Sequence, residues 1–243
     1  MIHVTDLHKS FGEVKALRGV SFRAEDGQVT GLLGPNGAGK TTTLRILYTI
    51  LRPDSGRAEV DGCDVITQPI QAQRAIGALP TSKGLYPRLT ARENIRYFGL
   101  LHGIDPKTLE ARIDKIAAML EMESIIDRKT EGFSTGETMK VAIGRALVHD
   151  PRNVILDEPT NGLDVMSTRA VRAFIRRLRD EGKCVLFSSH IMQEVSALCD
   201  QIVVISAGQV AACGSADDLL RQTGQATLED AFVAAIGSEE GLQ

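Results

Sequence analysis

No CxxC pair occurs among the four cysteines, Cys63, Cys184, Cys199 and Cys213. That spacing excludes the common metal-ligand and disulfide frameworks and fits buried or neutral thiols in a reducing compartment. No window approaches the ~20 apolar residues that cross a bilayer, and the opening MIHVTDLHKSFGEV lacks the apolar core of a signal peptide. The expectation is a soluble protein on the cytoplasmic side, with any membrane part supplied by another chain. Basic residues are not in excess: 28 Lys+Arg against 31 Asp+Glu leave a formal charge of −3, without the footprint for nucleic acid. Internal repeats, low-complexity tracts and heptad runs are also missing. What remains, 43% apolar and 24% charged residues, excludes disorder and fibrous classes. A chain of 243 residues can bury one large domain or two small ones.

The first 30 residues alternate as strands do (Ile2, Val4; Val20, Phe22) and break at Gly12, Gly19 and Gly27, predicting an antiparallel sheet. Val29 to Leu33 is a short apolar run into a glycine-rich turn, and Thr42 to Leu51 reads as a helix. Pro53 to Gly56 predicts a turn, and Asp61-Gly62 the tip of a hairpin. Between about 88 and 148 the pattern is helical; Asp105-Pro106 caps one helix and Leu109, Ile113, Ile116, Ala117 and Leu120 follow on one face. Val154 to Leu156 and Cys184 to Phe187 predict buried strands. The helix between them has Val171, Phe174, Ile175 and Leu178 inward and Arg172, Arg176, Arg177 and Arg179 on a solvated face. Ile202 to Ile205 and Val210 to Ala212 predict a hairpin, and the last ~25 residues a short helix with a frayed end. Strand–helix alternation implies a mainly parallel sheet with helices on both faces.

Chemistry concentrates in a few strings. Gly34-Pro35-Asn36-Gly37-Ala38-Gly39-Lys40-Thr41 fits GxxxxGK[ST] between a strand and a helix. Glycines let backbone N–H groups curl around phosphates, Lys40 reaches the β- and γ-phosphate oxygens, and the Thr41 hydroxyl suits Mg²⁺. Val154-Ile155-Leu156-Asp157-Glu158 ends a strand in two carboxylates that alternation sends different ways. Asp157 then suits Mg²⁺ through a water, and Glu158 suits a general base. His190 closes CVLFSSH as either a structural histidine or a hydrogen-bond partner for a γ-phosphate. In GFSTGETMKVAIGRAL, Ser134, Thr135 and Gly136 precede a helix whose free N–H groups and dipole make an anion site, yet nothing nearby reads as the anion.

Together these strings resemble the ATP-binding subunit of ABC transporters, over about residues 2 to 215. GPNGAGKTT (34–42, through Thr42) matches the Walker A motif and VILDE (154–158) Walker B; FSTGE (133–137) sits at the LSGGQ signature. Asn161 to Asp164 sits at the D-loop, His190 at the switch histidine, and Phe11 where the family stacks an aromatic ring on adenine. The resemblance implies a P-loop α/β fold with an N-terminal antiparallel subdomain, an inserted helical lobe at about 85–148, and a short tail at 216–243. It implies ATP and Mg²⁺ as cofactors, a separate permease in the membrane, and a second ATP-binding subunit paired head to tail. Ser134, Gly136 and Asp164 would then meet an ATP held by that second chain. GLYPRLTARENIRYF (84–98), RALVHDP (145–151) and EPTNGLDVMSTRA (158–170) look like exporters of the ABC-2 type, in particular the ATPase of sodium-extruding systems.

Three positions depart from the pattern. A glutamine that the family carries after a central strand is Thr81 here, which leaves Ser82 or Lys83 to compensate. In the signature, Thr135 replaces a glycine and Glu137 a glutamine; Glu137 suits a helix N-terminus through the dipole, yet a carboxylate near a γ-phosphate is electrostatically adverse. These departures keep open a regulator that binds ATP with little turnover. A non-transport ABC ATPase is the other alternative, although such proteins generally carry two cassettes, coiled coils or zinc modules. No NKxD-type guanine-reading motif occurs.

Overall fold

The computed structural model describes residues 1–81 and 84–237. Strands β1 (Ile2–Phe11) and β2 (Val14–Ala24) pair antiparallel from Ile2 opposite Ala24 to Phe11 opposite Val14. Gly19 lies inside β2 instead of breaking it, at φ +95, with Asp6 crowding the space a Cβ would need. After β3 (Val29–Leu33), helix α1 (Lys40–Leu47) begins two residues earlier than the sequence suggests and ends before Leu51. β4 (Ser55–Val60) pairs with the free side of β1, and β5 (Cys63–Asp64) completes a sheet ordered β2-β1-β4-β5. Asp61 and Gly62 both adopt positive φ, 49 and 76, as a tight hairpin requires. Ser55 and Gly56, which read as a turn, already belong to β4.

A second sheet carries the apolar runs. Besides β3 it contains β6 (Ile76–Leu79), β7 (Asn153–Asp157), β8 (Cys184–Ser189), β9 (Gln201–Ser206) and β10 (Gln209–Gly214), in the order β10-β9-β3-β8-β7-β6. All pairings are parallel except that of β10 with β9. Every residue of β3, β7 and β8 is buried, so these strands read as unbroken apolar runs, not as alternation. β6 stands at the sheet edge, not at its centre.

Alternation inside those strands divides the core in two. Leu33, Val154, Leu156 and Phe187 pack with the helical lobe, α3 (Ala91–Leu101), α4 (Pro106–Met119) and α5 (Thr135–Leu147). Leu32, Ile155, Leu186 and Val203 pack with α1 and the antiparallel sheet. In the lobe, Thr90 and Glu93 form a capping box at α3, and Asp105 accepts from the Thr108 N–H at α4. Leu109, Ile113, Ile116, Ala117 and Leu120 are buried as their spacing predicts.

α2 (Pro69–Arg74) leads into β6, and α6 (Val165–Asp180) buries Val171, Phe174, Ile175 and Leu178. Arg172 departs from the solvated face expected of it: it is half-buried, 3.9 Å from Glu194 of α7 (Met192–Leu198). After residue 215 two helices form, not one, α8 (Ala216–Thr223) and α9 (Leu228–Ile236), and α9 buries Ala231 and Phe232. The break at Thr223-Gly224, with Gly224 in the left-handed conformation, separates them.

At the lobe's base the rings of His102 and His149 stack 3.7 Å apart. The His149 Nε2–H donates to the Ile76 carbonyl at 3.0 Å. Burial, then the stacked His102, push the His149 pKa down to about 4, from an ordinary 6.5. Below about 6.5 the unfolded chain takes up a proton that the folded chain refuses, so stability falls as pH drops toward about 4. Urea unfolding between pH 7 and 4.5 should show this loss, and His149→Gln should flatten it. An equal slope in both proteins would remove His149 as the cause.

Candidate functional site

Parallel strands bring their C-terminal ends to one edge, and there the chemistry collects. Register sets Leu33 level with Ser189 and Asp157 level with Ser188. Beyond Leu33 the chain turns so tightly that a Cβ on Gly34 would collide with the Ile205 carbonyl oxygen. Gly39 has φ +112, and a Cβ there would lie 2.8 Å from the Ala16 carbonyl oxygen. Glycine is therefore required at both ends of the loop. Between them Pro35, Asn36, Gly37 and Ala38 form the turn, closed by the Ala38 N–H donating to the Pro35 carbonyl at 3.2 Å. No side chain among the described residues caps α1 at Gly39, so the first N–H groups of Lys40, Thr41 and Thr42 and the dipole behind them form an anion cradle.

The Lys40 ammonium donates to the Gly34 carbonyl at 2.6 Å and the Pro35 carbonyl at 3.0 Å. Burial lowers its pKa, and the nearby charges of Glu158 and Asp157 push it back up. Among the described residues this buried cation is held by carbonyls without an anionic partner in direct contact, which is the deficit that phosphate oxygens fill.

Asp157 and Glu158 take separate partners. Asp157 is buried and accepts from the hydroxyls of Ser188 at 2.6 Å, Thr81 at 2.7 Å and Thr41 at 3.4 Å. Glu158 leaves the strand with φ 48, and its N–H donates to the Ser188 Oγ at 3.0 Å. A left-handed backbone at a non-glycine costs about 1 kcal/mol or more, and here it aims the side chain away from Asp157's partners. One Glu158 oxygen accepts from the Asn161 amide at 3.0 Å, and the other lies 3.2 Å from the His190 Nδ1. Among the described residues no group of three His, Cys, Asp or Glu side chains could hold a metal alone. The Thr41 hydroxyl and Asp157 carboxylate are hard oxygen donors at the cradle's mouth, a set that fits Mg²⁺ completed by phosphate and water oxygens.

A second group forms elsewhere. Ser134 caps α5, its Oγ accepting from the Glu137 N–H at 3.2 Å, while Glu137 accepts from the Ser134 N–H at 2.8 Å. Arg128 pairs with the other Glu137 oxygen at 3.2 Å. The helix end thus has an anion after all, its own Glu137. The Ser134 N–H is the first reason that this carboxyl's pKa lies below the ordinary range. Gly136 abuts Ser167, where a Cβ would come within 2.7 Å of the Oγ, and Ser167 donates through both its N–H and its hydroxyl to Asp164, the cap of α6. Phe11 ends β1, exposed, with the Lys9 ammonium 5.7 Å from its ring centroid. No hydrogen bond or ion pair among the described residues joins Phe11, Ser134, Gly136 or Asp164 to the cradle. Ser82 and Lys83 lie outside the described residues.

Sequence reasoning passed over Ser188, which bridges Asp157 and the Glu158 backbone. The hydroxyl pair ending FSSH was visible, but its alignment with Asp157 depends on strand order. Asn161 was placed in a motif without its role beside Glu158.

Comparison with known proteins places the site in context. The family described as ABC transporter matches residues 17–161. The ABC transporter ATP-binding protein NatA of Bacillus subtilis (strain 168) is 43% identical over 97% of this chain and 98% of its own length. The Nod factor export ATP-binding protein I of Rhizobium etli is 33% identical over 90% of this chain and 69% of its own length. Among solved structures, the dimeric bacterial ABC transporter cassette MJ0796 aligns with a TM-score of 0.81 at 25% identity, over 88% of this chain and 98% of that one.

If the Lys40 ammonium turns from its two carbonyls to phosphate, Lys40→Ala should weaken ATP binding at least tenfold, about 1.4 kcal/mol. Titration with a fluorescent ATP analogue measures this, and unchanged affinity would contradict the cradle.

Proposed function

Because this chain belongs to the ABC transporter family of ATP-binding subunits, we propose a division of labour among its residues. The chain is an ATPase that binds and hydrolyses ATP and powers a separate membrane permease of an exporter. In our reading, residues 1–215 form the ATPase domain and 216–243 an appended segment. The backbone from Gly34 to Thr42 and the Lys40 ammonium hold the β- and γ-phosphates. Thr41 and Asp157 hold Mg²⁺, which when bound neutralises charge on those phosphates. Glu158 takes the proton of the attacking water, and His190 orients Glu158 and reaches the γ-phosphate. Phe11 stacks on adenine. Positioning and electrostatics supply most of the acceleration, because phosphoryl transfer needs little covalent help.

The observation that carries this reading is the divergence of the two carboxylates: Asp157 toward Thr41, and Glu158 toward Asn161 and His190. The group of Ser134, Gly136 and Asp164 completes a second chain's cradle when two copies pair head to tail, as their lack of bonds to their own cradle suits. No helix among the described residues is long and apolar enough to cross a membrane. In our reading the subunit docks on a permease at the cytoplasmic face, and the loop before α3 with α3 itself offers exposed Tyr86, Tyr97, Leu100 and Leu101 for that contact. An ABC-2 exporter of sodium is the cargo reading that the local phrases favour.

Glu158→Gln should retain ATP binding and lose turnover by about 10²-fold or more. On analytical ultracentrifugation the same variant should shift from monomer to dimer when ATP and Mg²⁺ are added. Undiminished turnover would sink the base assignment, and a monomer at every ATP concentration would sink pairing by nucleotide alone. For docking, serine substitutions at Tyr97, Leu100 and Leu101 should uncouple transport while sparing basal ATPase activity; intact transport throughout would remove that surface.

A further inference from the structure

We propose that Thr81 is a positioning residue for the metal site: its hydroxyl orients Asp157 and so sets how tightly Mg²⁺ enters with the nucleotide. The proposal rests on the reading that Asp157 holds the metal. β6 pairs with β7 until Leu79 meets Leu156, so two residues later the chain stands beside the end of β7. From there the Thr81 hydroxyl donates to the Oδ2 of Asp157 at 2.7 Å. Ser188 donates to the other oxygen, Oδ1, at 2.6 Å, and Thr41 approaches that same oxygen at 3.4 Å.

A carboxylate's terminal torsion is soft and broad, so one hydrogen bond leaves it free to rock. Two short charge-assisted bonds on opposite oxygens fix its plane. Ser188 alone cannot do this, because it holds only Oδ1. Among the described residues Thr81 is the donor that holds Oδ2. Each carboxylate oxygen has about two acceptor directions, so Oδ2 keeps one for a metal-bound water after Thr81 has used the other. The Thr81 hydroxyl reaches the carboxylate directly and so can aim it. Partners that orient a metal ligand in this way are worth about 10- to 100-fold in metal affinity.

The test titrates Mg²⁺ against the affinity of a fluorescent ATP analogue for the full chain, with an EDTA point for metal-free binding. Thr81→Val, which keeps the shape and removes the hydroxyl, should need about 10- to 100-fold more Mg²⁺ for half its effect. Its affinity in EDTA should match the parent, and Thr81→Ser should restore the parent titration. Asp157→Asn serves as the reference. A Thr81→Val titration like the parent's, with Asp157→Asn shifted, overturns the role of Thr81 and leaves the metal reading intact. No shift in Asp157→Asn overturns the metal reading itself. A loss in Thr81→Val that is equal with and without Mg²⁺ marks general damage to the site and also overturns the proposal.

Discussion

A parallel strand buried on both faces needs cover on both sides, and β3 is such a strand, with all five residues out of solvent. That requirement organises the molecule. The helical lobe covers one face and the antiparallel sheet with α1 the other, and alternate residues of one strand serve opposite cores. With both faces covered, the interior strands meet polar surroundings at their ends. Polar groups therefore gather where β3, β7 and β8 end, and the crowding that demands glycine at 34 and 39 comes from this confinement.

The charges at that edge are arranged in a graded order of burial. Lys40 and Asp157 are nearly enclosed; the first rests on loop carbonyls that leave its charge open to an anion, and the second on hydroxyls. Glu158 and His190 lie further out and hold each other. Ser188 links the layers, since one hydroxyl donates to Asp157 and accepts from the Glu158 backbone. A single small side chain thereby ties the orientation of the inner carboxylate to the strained backbone beneath the outer one. Such a shared partner makes the two acids non-additive under mutation.

Much of this was legible in the chain because the relevant signals are local. The glycine-rich loop, the two strand-end carboxylates and the cap at Asp105 are contiguous strings with local causes. The buried strands announced themselves as unbroken apolar runs. What stayed hidden depends on strand order and register. β6 reads the same at an edge as at a centre, and Thr81 and Ser188 meet Asp157 only after three strands align. Glu137 is a different kind of miss. Ser134-x-x-Glu137 is the capping-box pattern, readable in advance, yet the carboxylate was weighed against the helix dipole and a γ-phosphate and not as the partner of the Ser134 N–H. The second C-terminal helix was obscured because its short apolar stretch follows a polar break at 224–227.

That same capping box has a bearing on selectivity. Glu137 sits where a free anion would settle, and Arg128 holds its far oxygen. An inorganic phosphate drifting past the helix end meets a resident carboxylate that has already taken the Ser134 N–H and adds like charge. The capping box thus spends part of the helix end's attraction for anions inside the protein, and the phosphate pool around it finds a weaker site than a bare helix end would offer.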